Sequence, residues 1–67
     1  MSVAKISEIS SSSSVSFDDA IRKGIERANR TLKNVQGAWI SEQKVDVKDG
    51  VVSNYRVMMK ITFVLEG

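Results

Sequence analysis

Lys48-Asp49-Gly50-Val51 is the stretch on which the fold turns. Asp-Gly between two apolar-patterned runs is the pair a two-residue type I′ hairpin turn requires, because both central residues must take positive φ. Working outward, the chain from Ala38 onwards reads as two antiparallel strands. With Asp49 and Gly50 as the loop, the register opposes Gln43 to Arg56, Ser41 to Met58, Trp39 to Lys60 and Gly37 to Thr62. Side chains alternate along a strand, so the hairpin has two distinct faces. One carries Ala38, Ile40, Tyr55, Val57, Met59, Ile61, Phe63 and Leu65 and is a core face. The other carries Trp39, Ser41, Gln43, Val45 and Val47 opposite Thr62, Lys60, Met58, Arg56 and Asn54. Trp, Met and Arg are residue types enriched where proteins bind something, so function is sought on this second face.

Upstream of the hairpin, Phe17, Ile21, Ile25, Ala28 and Leu32 recur at steps of three and four, an apolar stripe that predicts a helix over 17–33. Ser16 with Asp19 approximates a capping box, and Asp18 and Asp19 favour the positive helix end. Arg30 and Lys33 favour the other end, and Asn34 marks a stop. Gly24 costs about 1 kcal/mol of helix propensity relative to Ala, which points to a close approach of helix to strand. Residues 3–9 mix β-branched and polar positions and predict a short strand. The serines from Ser10 to Ser14 read as a polar loop. The helix stripe is the natural cover for the core face of the hairpin.

At 67 residues the chain holds one domain, and domains this small bury only about 60% of their unfolded surface. Such domains add disulfides, a metal or oligomerisation. The sequence has no Cys and no His, which removes disulfides, sulfur-bound zinc and the commonest general base. Oligomerisation is the remedy left. A hydrophobic fraction of 42% with 27% charged residues is that of a globular chain. The start Met1-Ser2-Val3-Ala4-Lys5 lacks the features of a signal peptide and no apolar run is long enough for a membrane span, so a cytoplasmic protein with no membrane partner is expected.

Taken together in this order, the short strand, the Ser-rich loop, Phe17-Asp18-Asp19-Ala20-Ile21, Gly37-Ala38-Trp39-Ile40, Asp49-Gly50, Tyr55-Arg56-Val57 and the closing Thr62-Phe63-Val64-Leu65-Glu66 resemble the dodecin family over nearly the whole chain. The resemblance implies an α+β protein: a single domain over 1–67, a β-α-β-β subunit whose three-stranded antiparallel sheet wraps one helix, assembled as a closed homo-oligomer of twelve copies. It implies flavin (riboflavin or FMN) as ligand, stacked at inter-subunit sites, in a storage protein rather than an enzyme. Aligned without gaps, the family's stacking Trp falls on Gly37, and Trp39 lies two residues later, roughly 6 to 7 Å along the same strand. The family's ring-edge Gln falls on Arg56, Lys44 keeps the charge of an Arg that faces the flavin phosphate, and Val64 replaces another basic residue.

The candidate ligand-binding residues are therefore Trp39, Arg56, Lys44, Gly37 and Gln43, with no catalytic or metal-ligating residue. Trp39 serves either as a stacking platform or as packing at a subunit contact. Arg56 either clamps an anion, pairs with Glu42 or Asp46 of a neighbour, or lies over Trp39. Asp46, Asp49 and Glu66 are carboxylates suited to a hard cation at a symmetry contact, but they lack any recognised loop spacing. Two other functions compete with ligand storage: a purely structural assembly, and a nucleic-acid module using Arg22, Lys23, Arg27, Arg30 and Lys33. Interleaved Asp18, Asp19 and Glu26 dilute that basic run, so it reads as a solvated helix face.

Overall fold

A computed structural model describes residues 3–65. The elements run β1 (Val3–Ser13), α1 (Phe17–Thr31), β2 (Val35–Lys48) and β3 (Val51–Leu65). The sheet order is β1-β3-β2, with both pairings antiparallel, so β3 is the central strand and α1 covers one face. This is the expected β-α-β-β arrangement. Asp49 and Gly50 take φ of 53° and 77°, the two positive values a type I′ turn needs, and Lys48 pairs with Val51 beside them.

The hairpin register departs from expectation in its middle. Trp39↔Lys60 and Gly37↔Thr62 pair as predicted, but Lys44 rather than Gln43 opposes Arg56, and Glu42 rather than Ser41 opposes Met58. Two irregularities, between Ile40 and Glu42 and between Asp46 and Val47, displace the intervening segment by one residue and then restore it. The extra residue is Ser41 on β2 in the first and Ser53 on β3 in the second. Each hydroxyl donates to a carbonyl across the ladder, Ser41 Oγ to Met58 O and Ser53 Oγ to Asp46 O, both at 3.2 Å. These bonds satisfy backbone groups that a bulge would leave unpaired. A one-residue slip exchanges the faces of a strand. Gln43 and Val45 therefore move to the side of Val57 and Tyr55, while Lys44 and Asp46 join Arg56 on the outer face.

β1 also runs further than predicted. Ser10 to Ser13, expected in a loop, continue the strand and pair with β3 as far as Ser13↔Tyr55. Two of them, Ser11 and Ser13, serve the helix above them. Ser11 Oγ donates to Ala20 O at 2.7 Å, Ser13 Oγ donates to Asp19 Oδ2 at 2.5 Å, and Val15 N donates to Ser13 Oγ at 2.9 Å. The Ser16 cap accepts from Asp19 N at 3.0 Å, as its spacing predicts. The helix stops at Thr31, two residues short of the expected end; Leu32 N bonds Ala28 O at 2.8 Å, and Asn34 turns the chain at φ 61°.

The buried face of α1 is Ala20, Gly24 and Ala28, with Phe17, Ile21, Ile25 and Leu32 half-buried on either side. Beneath it lie Val57, Met59 and Ile61 of β3, all fully buried. Leu65, expected in the core, is exposed at the end of the sheet. Phe17 meets Tyr55 edge-on with ring centroids 5.2 Å apart, closing the other end. A Cβ at Gly24 would overlap the Met59 terminal methyl and stand 3.0 Å from Ser11 Cβ, so the expected close approach is present.

Gly24→Val forces the helix off β1 and β3, and we expect a loss of about 1 to 3 kcal/mol by denaturant midpoint. Asp19 supplies a pH test. Hydrogen bonds from Ser13 and then Lys23 hold its carboxyl below the ordinary value of 3.8. A depressed folded value means stability that is present above 3.8 and is lost as pH falls through the lower folded value. Asp19→Asn is expected to flatten the thermal-stability profile below pH about 4.

Candidate functional site

The outer sheet face is built from alternate residues of all three strands. β3 contributes Arg56, Met58, Lys60 and Thr62; β2 contributes Gly37, Trp39, Glu42, Lys44 and Asp46; Glu8, Ser10 and Ser12 of β1 stand opposite Lys60, Met58 and Arg56. The helix lies on the opposite side of the sheet and leaves this face uncovered. Trp39 keeps 68% of its surface in solvent. Its cross-strand neighbour Lys60 places Nζ 5.4 Å from the ring centroid, a cation–π contact.

Further along the face, Arg56 Nε donates to Asp46 Oδ2 at 2.8 Å. That bond, ahead of a weaker opposing effect of burial, holds the Asp46 carboxyl below its ordinary range. Ser10, Glu42, Lys44, Arg56 and Met58 line a shallow depression of about 180 Å³. A larger groove of about 470 Å³ lies between β1 and α1, lined by Ile9, Gly24, Ala28 and Leu32. Trp39, Lys44 and Arg56 do not reach that groove, which Lys23 and Arg27 border; Lys44 and Arg56 line the smaller depression, and Trp39 lines neither.

Four of the five predicted site residues, Gly37, Trp39, Lys44 and Arg56, share the outer face, and Gln43 does not. The Ser41 bulge turns Gln43 to the Val57 side, which corrects its inclusion in the site. Arg56 pairs with Asp46 of its own chain rather than covering Trp39, and Lys60 takes the position over the ring. Lys60 and Asp46 join the face although the candidate ligand-binding set left them out; Asp46 was expected to meet Arg56 only from a neighbouring copy. The predicted Trp39↔Lys60 pair already carried the signal for Lys60, whereas Asp46 reaches the face only through the bulges. Gly37 presents bare backbone; nothing lies within 4 Å of where its Cβ would stand. Among the described residues no three Asp or Glu side chains lie close enough to hold a metal ion, and Glu66 falls outside the described residues. On the helix, Lys23 is paired with Asp19 at 3.0 Å and Arg27 donates to Thr31 at 3.0 Å, which further dilutes the basic run. Among the described residues no helix is long and apolar enough to cross a membrane.

A sheet with one face closed by a single helix and the other open, aromatic and charged defines the class of small β-α-β-β subunits. The chain belongs to the dodecin family, whose model matches residues 3–66. Among solved structures it is similar to a dodecin from Streptomyces davaonensis, at 32% identity and TM-score 0.93 over 98% of this chain and 97% of that one. A dodecin from Streptomyces coelicolor matches at 26% identity and TM-score 0.92, over 98% and 94%. A Mycobacterium tuberculosis protein described as a calcium dodecin with a novel calcium-binding site matches at 25% identity and TM-score 0.81, over 96% and 91%. No curated protein matches the chain in sequence.

Lys60→Met removes the cation over Trp39 while keeping the length of the side chain. The expected cost is about 0.5 to 1 kcal/mol, read from a urea titration followed by Trp39 emission, with Lys60→Arg close to wild type.

Proposed function

We propose that the chain is a non-catalytic small-ligand binding and storage protein: one cytoplasmic domain, assembled into a closed homo-oligomer of twelve copies. Its ligand is a planar aromatic molecule of the flavin class, taken between the outer sheet faces of neighbouring copies. Trp39 carries this reading. A core-forming Trp is buried, yet this one, the sole Trp of the sequence, stands 68% exposed on an open face. A ring in that position stacks on any π-system, and Lys60 beside it and Lys44 along the strand favour an anionic substituent. Membership of the dodecin family supports the same reading.

The site is a variant one. The position aligned with the family's stacking Trp is Gly37, which offers no ring, so stacking falls to Trp39 further along β2. Arg56, where the family has a Gln, is engaged by Asp46 and supplies no acceptor to a ring edge. Riboflavin, which has only its ring system for recognition, is therefore expected to be quenched weakly. FMN is expected to bind more tightly, through its phosphate and Lys44, with an affinity that falls as salt rises. Gly37→Trp with Arg56→Gln is expected to strengthen riboflavin quenching. Fluorescence titration of both flavins against wild type, the double variant and Trp39→Ala tests this, and FMN binding that survives Trp39→Ala sinks it. One observation favours a second reading, a purely structural assembly: Lys60 already occupies part of the Trp39 ring surface. Absence of any flavin quenching by an intact oligomer would establish that alternative.

A further inference from the structure

The groove between β1 and α1 has no part in the outer-face site. It measures about 470 Å³, and pockets for small molecules run from about 300 to 1,000 Å³. Ile9, Ala28 and Leu32 give it an apolar floor, and Lys23, Arg27 and Thr31 form its rim on the helix side. The two sides of α1 are unequal in this respect: Ile21 and Ile25 pack against the core without reaching the groove. β1 is an edge strand, so no further strand closes the groove from outside. The groove lies on the helix side of the sheet, so a copy seated on the outer face does not cover it.

Charge selects the occupant. Among the described residues the lining holds two cations, Lys23 and Arg27, and no carboxylate. Glu8, the acid next to Ile9 in the chain, stands on the outer face opposite Lys60. Lys23 is already held by Asp19 at 3.0 Å. Arg27 donates to the Thr31 hydroxyl at 3.0 Å and has no carboxylate partner among the described residues. Its guanidinium keeps further donors, in a planar fork that suits a carboxylate. No aromatic ring lines the groove, so nothing there stacks a nucleobase or a flavin ring.

We propose that this groove is a second binding site, for a free medium-chain fatty acid. The alkyl chain lies along Ile9, Ala28 and Leu32, and the carboxylate meets Arg27 at the rim. From Gly24 to Leu32 the floor follows the helix for about 12 Å, a length that suits a medium chain rather than a long one. Each methylene that leaves water adds to the affinity, whereas a compact anion would have only the rim charges to hold it. The site stands apart from the flavin reading, because its residues lie on the other side of the sheet.

Isothermal titration calorimetry of sodium octanoate into the intact full-length protein tests this. Octanoate is expected to bind roughly tenfold or more tightly than butyrate, because of its longer alkyl chain. Arg27→Gln is expected to weaken octanoate by roughly tenfold while leaving octanol unchanged. Thr31→Trp puts a ring into the groove and is expected to abolish binding of both, with circular dichroism reading the fold. If that variant unfolds, the chain-length comparison and Arg27→Gln decide the matter between them. Trp39→Ala is expected to leave octanoate affinity unchanged. No heat with octanoate, equal affinity for butyrate and octanoate, or undiminished octanoate binding by Arg27→Gln overturns the inference. So does loss of binding in Trp39→Ala, or a preference for phosphatidylglycerol vesicles or an acidic peptide over octanoate. Failure of octanoate to bind leaves the flavin reading standing, and failure of flavin to bind leaves this site standing.

Discussion

Everything in this subunit hangs on how closely one short helix can lie on the central strand. Ala20, Gly24 and Ala28 present almost no side chain to the sheet, so Met59 fills the space beneath Gly24 and Ser11 reaches the Ala20 carbonyl. A larger residue at Gly24 would lift the helix and part Val57, Met59 and Ile61 from their cover. The helix-propensity cost of glycine, about 1 kcal/mol, is offset by dispersion contacts that fall off steeply with distance. The larger apolar residues, Phe17, Ile21, Ile25 and Leu32, flank that contact and seal its margins.

From that contact follows the division of the sheet. One face is committed to the helix, and a single helix leaves the other face without cover. The outer face can therefore carry groups that a core would reject: an exposed indole, an ammonium over it, and an Arg–Asp pair with Lys44 alongside. Solvent keeps each of those charges inexpensive, and each gains strength once a second surface excludes water. A face of this kind is poorly used by a monomer and well used at a contact between copies.

The bulges decide which charges share that face. Without Ser41 and Ser53 as extra residues, Gln43 would oppose Arg56, and Lys44 and Asp46 would point to the helix side. Both bulge residues are serines, and a hydroxyl can replace a lost ladder bond locally, as each does here. Serine within a strand-patterned run is the signal by which the slip could have been read. It is weak, because a serine on the solvent face of a regular strand looks the same.

The sequence by itself determined the elements and their order. Asp49-Gly50 specifies the turn through the positive φ of both residues, Ser16 and Asp19 specify the helix start, and the spacing of Phe17, Ile21, Ile25 and Leu32 specifies its inner side. These are local interactions, complete within a few residues, and local chemistry is what a sequence displays. Trp39, Gly37 and Arg56 could be placed on one face with no structure, whereas Lys44 was named by family resemblance and only the bulge brings it to that face. Tertiary structure alone decided that Ser10 to Ser13 are strand, because a fifteen-residue β3 offers them partners up to Tyr55 and α1 takes the hydroxyls of Ser11 and Ser13. It alone decided the fate of Gln43 and Asp46, because a one-residue slip costs little locally and is settled by pairing across the whole ladder.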